Sequence, residues 1–330
     1  MNAIPEYSFS YAAAPNFFLN NWRTVGRFTP TTNSSNKHVE LSAHPYELGA
    51  AIFNDAHALM NQATEQRATL YRLLQADGDP SPSWTLVTVY YWGLFTALAW
   101  SRLVGASVVY LDKPALIPLF QGSGSQGKGG AYSVKPGEIV GTSQRKVFLK
   151  KCAHSHFHEA VWSFLSSDMY ERYASLDKAE KTTDMEVELE KRIFLCLAHD
   201  HFKEAHVWPS LLRNAVNYRP GFSYTEVSGL GFLDICSYMR EFRYKSISEI
   251  VLAYEEIDKK LRALGSSLDP VELYAEASKL LLLKTILLSE LCESILDTFP
   301  SNEGAGMARS SRSKYFLSLD IQNISALWPI

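Results

Sequence analysis

The sequence predicts a mainly α-helical protein, a bundle of helices with one small β-hairpin inserted between them, and three observations carry that prediction. Apolar residues recur at helical spacing over most of the chain. Several of these stretches open on proline or serine and close on glycine or proline. Between about residues 107 and 149 that rhythm breaks into β-branched residues, glycine and proline. At 330 residues, with 46% hydrophobic and 20% charged residues, the chain can bury a full core.

Residues 1–44 form an aromatic but irregular lead-in, with the polar run Thr31–Lys37 as an exposed loop. From Pro45 to about Gln75 the positions Leu48, Ile52, His57, Leu59, Met60, Ala63 and Leu70 follow a helical period, ended by Asp77-Gly78-Asp79-Pro80. Ser83 caps the next stretch, SWTLVTVYYWGLFTALAWSRLVG, which is apolar nearly all round and closed by Gly105, as expected of a central buried helix. On that ground Trp84, Tyr90, Tyr91, Trp92, Phe95 and Trp100 are assigned to the core, since an aromatic that stacks on bases must be exposed. SVVYL and AYSVKPGEIVG supply the β insertion, with the glycine-rich segment GSGSQGKGG as a hairpin loop. Helices resume at about 156–170, 184–206, 209–219, 232–264 and 269–299. One helical domain thus spans 45–299, followed by a linker and tail over 300–330.

Composition excludes several functions. A formal charge of -3 gives no general attraction to nucleic acid, so any such contact needs a local basic site. Cys152, Cys196, Cys236 and Cys292 are far apart with no CxxC pair, which suits reduced intracellular thiols. The start lacks the basic residues and apolar run of a signal peptide, and no span of about eighteen uncharged apolar residues follows, so a cytoplasmic protein is expected.

Gly122, Gly127 and Lys128 match the spacing of a phosphate-binding loop, but Gly129 stands where Ser or Thr is needed and a strand follows where a helix is required, so no nucleotide cofactor is assigned. Six of the nine histidines lie between His154 and His206. In an extended strand Cys152, His154, His156 and His158 share a face, whereas a helix beginning near Ser155 aligns only His154 with His158. Neither cluster has a recognised ligand spacing, and no metal is assigned.

The polar residues of WPSLLRNAVNYRPGFSY are the ones stability explains least. Pro209 suits a first helical turn and Pro220-Gly221 stops the helix. Arg213 and Asn217, four apart, share a face, while Tyr218 is turned about 140° from Arg213. Arg213 can equally pair with Glu226 or Glu204, with Asn214 and Asn217 holding backbone turns.

TVYYWGLFTALAWSRLVG resembles the YYaxFxAaxALLxxxG pattern of HEPN-type helical proteins of the abortive-infection kind, and LLRNAVNYRPGFSY resembles their later R-N/D/H-x3-H motif helix. The order of elements agrees over roughly residues 45–299. The resemblance implies a HEPN-like bundle and an RNA-targeting protein, in its active form a metal-independent endoribonuclease of prokaryotic defence or toxin–antitoxin systems, built as a homodimer or within a hetero-oligomeric assembly. It implies no cofactor. Arg213 falls in the arginine slot, Asn214 in the polar slot, and Asn217 completes the helix face, while Tyr218 stands in the histidine slot. Tyrosine, with an ordinary pKa near 10, is a poor base but can position a phosphate or donate a proton. Arg192 and His199 also show an R-x6-H spacing, but the apolar IFLCLA between them reads as core. Members of the family that have lost the motif imply the alternative, a non-catalytic scaffold subunit of a multiprotein defence complex.

Overall fold

A computed structural model describes residues 19–26, 28–31, 38–75, 81–121, 126–140, 144–154, 156–178, 185–198, 207–218, 230–242, 245–264 and 270–298. These residues are mostly helical, with one antiparallel sheet. The elements are α1 (Leu19–Val25), β1 (Phe28–Pro30), β2 (His38–Ala43), α2 (Pro45–Gln75), α3 (Pro82–Leu103), β3 (Ser107–Leu111), α4 (Lys113–Leu116) and β4 (Gly130–Val140). They continue with β5 (Gln144–Lys151), α5 (Phe157–Lys178), α6 (Met185–Ala198), α7 (Trp208–Tyr218), α8 (Leu230–Phe242), α9 (Ile247–Leu264) and α10 (Pro270–Thr298). The linker and tail over 300–330 lie outside the described residues. No described helix is long and apolar enough to cross a membrane.

The chain divides into two compact units. Among the described residues, one takes those within 19–61, 97–161 and 294–298, the other those within 62–96 and 162–293. The single helical domain expected over 45–299 is therefore shared between them, because α2, α3, α5 and α10 each run from one range into the other.

The first unit holds the sheet, in strand order β1-β2-β5-β4-β3. It is larger than the expected hairpin because the lead-in is not irregular throughout: β1 and β2 extend β5 on the side away from β4. The cause is the alternation in HVELSA, where Val39, Leu41 and Ala43 face the core while His38, Glu40 and Ser42 do not. Val134, Val147 and Leu149 meet them in that core, together with Leu48 and Ile52 of α2. Pro136-Gly137 falls at a register shift between β4 and β5, the bulge at which a proline is tolerated in a strand.

The glycine-rich segment belongs to the connection between antiparallel β3 and β4, as a loop between neighbouring strands, although that connection also holds α4 and a short 3-10 turn at Pro118–Phe120. Gly129-Gly130 leads directly into β4. No helix N-terminus follows Lys128, so the geometry that cradles a phosphate is absent at the described part of this loop.

The second unit is helical. The expected helix over 232–264 is two helices, α8 and α9, and the break is a capping box. Ser246 Oγ accepts from the Glu249 backbone N–H at 3.3 Å, and the Glu249 carboxylate accepts from the Ser246 backbone N–H at 2.8 Å. The backbone N–H bond, with the Ser246 hydroxyl donating to the same carboxylate at 2.9 Å, holds Glu249 below the usual carboxylate range. In α3, Gly93 lets α10 approach closely: a Cβ there would stand 2.5 Å from Thr285 Oγ1. Thr96 and Ser289 share a hydrogen bond at 3.4 Å one turn further on.

Candidate functional site

α7 is amphipathic in the simplest sense. Trp208, Leu212, Ala215 and Val216 recur at helical spacing and are buried, while Leu211, Asn214 and Asn217 are exposed. Arg213 lies at the border, half-buried, and points its guanidinium at α3 of the same unit. Its Nη2 donates to the Tyr91 hydroxyl at 2.8 Å, and its Cζ lies 5.7 Å from the centre of the Tyr91 ring. Nη1 donates to Asn214 Oδ1 at 3.1 Å. With the Asn217 amide turned so that its oxygen faces the arginine, that oxygen accepts from Nε at 2.9 Å and from Nη2 at 3.3 Å.

A second layer fixes Tyr91 from behind. Tyr90 is fully buried and edge-on to Tyr91, with ring centres 5.5 Å apart. Its hydroxyl is shared with Ser210 of α7 at 3.2 Å and accepts from Trp162 Nε1 at 3.4 Å. Burial pushes the Tyr90 phenol above its ordinary pKa, so it stays neutral and serves as a strut between α3, α5 and α7. Phe95 packs on the other side of Tyr91, one turn along α3.

The arrangement orients a guanidinium with a phenol and two amides, none of which carries charge. Both amides are exposed, so an incoming anion can take their places on the arginine fork for the loss of ordinary neutral hydrogen bonds. Between them, 82–101 and 207–218 hold a single charged side chain, Arg213. A phosphate or carboxylate is the ligand chemistry such a site suits.

Compared with known proteins, the chain matches no family model, no curated protein and no solved structure.

The structure thus brings Arg213, Asn214 and Asn217 together. Tyr218 ends α7, and its side chain lies outside what is described, as do Arg219, Glu204 and Glu226. The sequence reading missed Tyr91, which it assigned to the core. Trp84 corrects the same assignment more sharply: it is 68% exposed, because it falls in the first turn of α3, before the helix enters the core.

Arg192 is held by Glu255 of α9 through a two-pronged pair at 2.8 and 2.7 Å, and its charge is thereby matched within the fold. His199, His201 and His206 lie outside the described residues. His154 Nδ1 is 3.7 Å from Glu159 Oε2, His156 is exposed, and His158 packs against the ring of Phe157. Among the described residues no three His, Cys, Asp or Glu side chains stand together as a metal site. α5 begins at Phe157, so the extended geometry that would line up His154, His156 and His158 does not form. All four cysteines are free thiols, and burial pushes Cys196 up to about 12, which makes it unreactive.

Proposed function

We propose that this chain is a HEPN-like, RNA-targeting protein in which Arg213 binds a phosphate of the strand, and that it cuts RNA without a metal ion. One observation carries the reading. The two segments that resemble the family's motifs, 122 residues apart, meet in a direct hydrogen bond from Arg213 to Tyr91.

In this reading the guanidinium stabilises the negative charge that builds on the non-bridging phosphoryl oxygens as the RNA 2′-oxygen bonds to phosphorus and the bond to the 5′-oxygen breaks, the 2′-hydroxyl proton passing to water, an electrostatic role that needs no cofactor. Asn214 and Asn217 hold the fork open and exchange with phosphate oxygens. Tyr218, in the histidine slot, positions the phosphate or donates a proton to the leaving oxygen. A second copy of the chain supplies the opposite half of the site, as the family resemblance implies.

The tyrosine in that slot favours one further reading, a scaffold subunit of a defence assembly that keeps RNA binding and has lost cleavage. Incubating the protein with labelled RNA, with and without EDTA, decides between them. The nuclease reading expects cleavage that EDTA does not alter. Bound but intact RNA supports the scaffold, and cleavage abolished by EDTA overturns the metal-free mechanism.

A further inference from the structure

Trp84 is a large aromatic side chain left mostly in the open. Its ring is 68% exposed in the first turn of α3, where a polar residue would serve the helix better. Tyr91 follows seven residues later, which returns to within about 20° of the same helix face and advances about 10 Å along the axis. Arg213 donates to the Tyr91 hydroxyl, so the exposed indole and the guanidinium lie along one face of the second unit. No carboxylate interrupts 82–101 or 207–218, and the exposed polar side chains flanking the arginine are the amides Asn214 and Asn217.

We propose that Trp84 is a base-stacking platform for single-stranded RNA, working with Arg213, which takes a backbone phosphate further along the same strand. The inference rests on the RNA reading above and adds the subsite that reads the strand. An indole face accepts any base, so the subsite selects single-stranded over duplex RNA rather than a sequence. The occupant is a nucleic acid because the face pairs an aromatic plane with a positive charge and hydrogen-bonding amides. A protein partner that buried Trp84 would call for a broad apolar patch, whereas the described exposed residues of α7 are one leucine, Leu211, and the amides Asn214 and Asn217.

The test uses the full chain and a fluorescently labelled oligouridylate, read by anisotropy over a range of salt concentrations, with wild type, Trp84→Ala, Trp84→Phe and Arg213→Ala. Trp84→Ala should weaken binding roughly five- to a hundredfold, and Trp84→Phe should restore most of it. Wild-type binding should quench tryptophan emission, and Trp84→Phe should lose that quench while still binding. The salt dependence should stay unchanged in Trp84→Ala and flatten by about one phosphate contact in Arg213→Ala. Because Trp84 is exposed, its variants should melt with the wild type, which separates lost binding from lost folding. RNA binding that Arg213→Ala weakens and Trp84→Ala leaves intact would overturn the stacking subsite alone. A change of oligomeric state on Trp84→Ala would likewise overturn the stacking subsite alone, whereas no RNA binding by wild type would overturn it together with the RNA reading.

Discussion

Arg102 and Arg213 sit in different units and show two fates for an arginine in a helical protein. Arg102, at the end of α3, is 7% exposed and donates Nη1 to Ser101 Oγ and the Val108 carbonyl at 2.9 and 3.1 Å, while its Nε lies 3.6 Å from Asp55 of α2. Asp55 in turn accepts from the backbone N–H of Leu19 at 3.3 Å, which ties α1 to α2. Arg213 is half-buried, and the neutral groups Tyr91, Asn214 and Asn217 are among its partners. The first charge is matched and sealed. The second stands at an accessible edge beside two exposed amides, and that accessibility makes Arg213 the functional candidate.

The largest effect should come from breaking the sealed pair. Burial raises Asp55 above its ordinary pKa and lowers Arg102 below its own, in each case against the attraction of the partner. Desolvation therefore outweighs attraction, and the pair is costly to keep but costlier to halve. Asp55→Ala should lower stability by about 3–5 kcal/mol in denaturant titration, whereas Asp55→Leu combined with Arg102→Met should recover most of the loss. A loss under about 1 kcal/mol for Asp55→Ala would place Arg102 in the same class as Arg213.

Tyr91→Phe probes the other side of the comparison. It deletes one hydrogen bond to the guanidinium and keeps the ring, so stability should fall by about 1 kcal/mol while RNA binding or cleavage drops by about tenfold. A loss of several kcal/mol would mean that Arg213 is structural after all.

Glu290 gives the smallest effect and tests the burial argument in the second unit. Burial raises its pKa, with Arg67 opposing. A carboxyl raised in the folded state contributes stability that is complete below its unfolded value near 4.5 and is lost as pH rises through the folded value. Glu290→Gln should therefore match wild type at about pH 4 and melt higher at about pH 8. Melting that is lower than wild type at the higher pH would show that the Arg67 attraction wins.

The sequence was most legible where punctuation and period coincide. Pro45 starts α2 where predicted, α3 starts at Pro82 so that the expected cap Ser83 lies in its first turn, and the apolar run from Leu86 to Leu103 is largely buried. Strand β2 escaped because it has only three core-facing residues beside a polar loop, too few to separate alternation from irregular chain. The break before α9 was written as S-x-x-E at Ser246 and Glu249, but the apolar spacing on both sides masked it. At the site, the four-residue spacing put Arg213 and Asn217 on one face, as found. Tyr91 and Trp84 were hidden by the opposite problem. On a helix that is apolar all round, periodicity cannot say which aromatics leave the core, and only the packing of α7 on α3 shows that Tyr91 holds Arg213.

If Arg213 is held ready for a phosphate, Arg213→Ala is the decisive variant, with RNA cleavage and thermal melting measured on the same preparation. The account predicts cleavage reduced by at least about a hundredfold, the loss typical of one deleted electrostatic donor, with a melting curve close to wild type and no response of either protein to EDTA. Unchanged cleavage, or a variant that melts as early as Asp55→Ala, would contradict it.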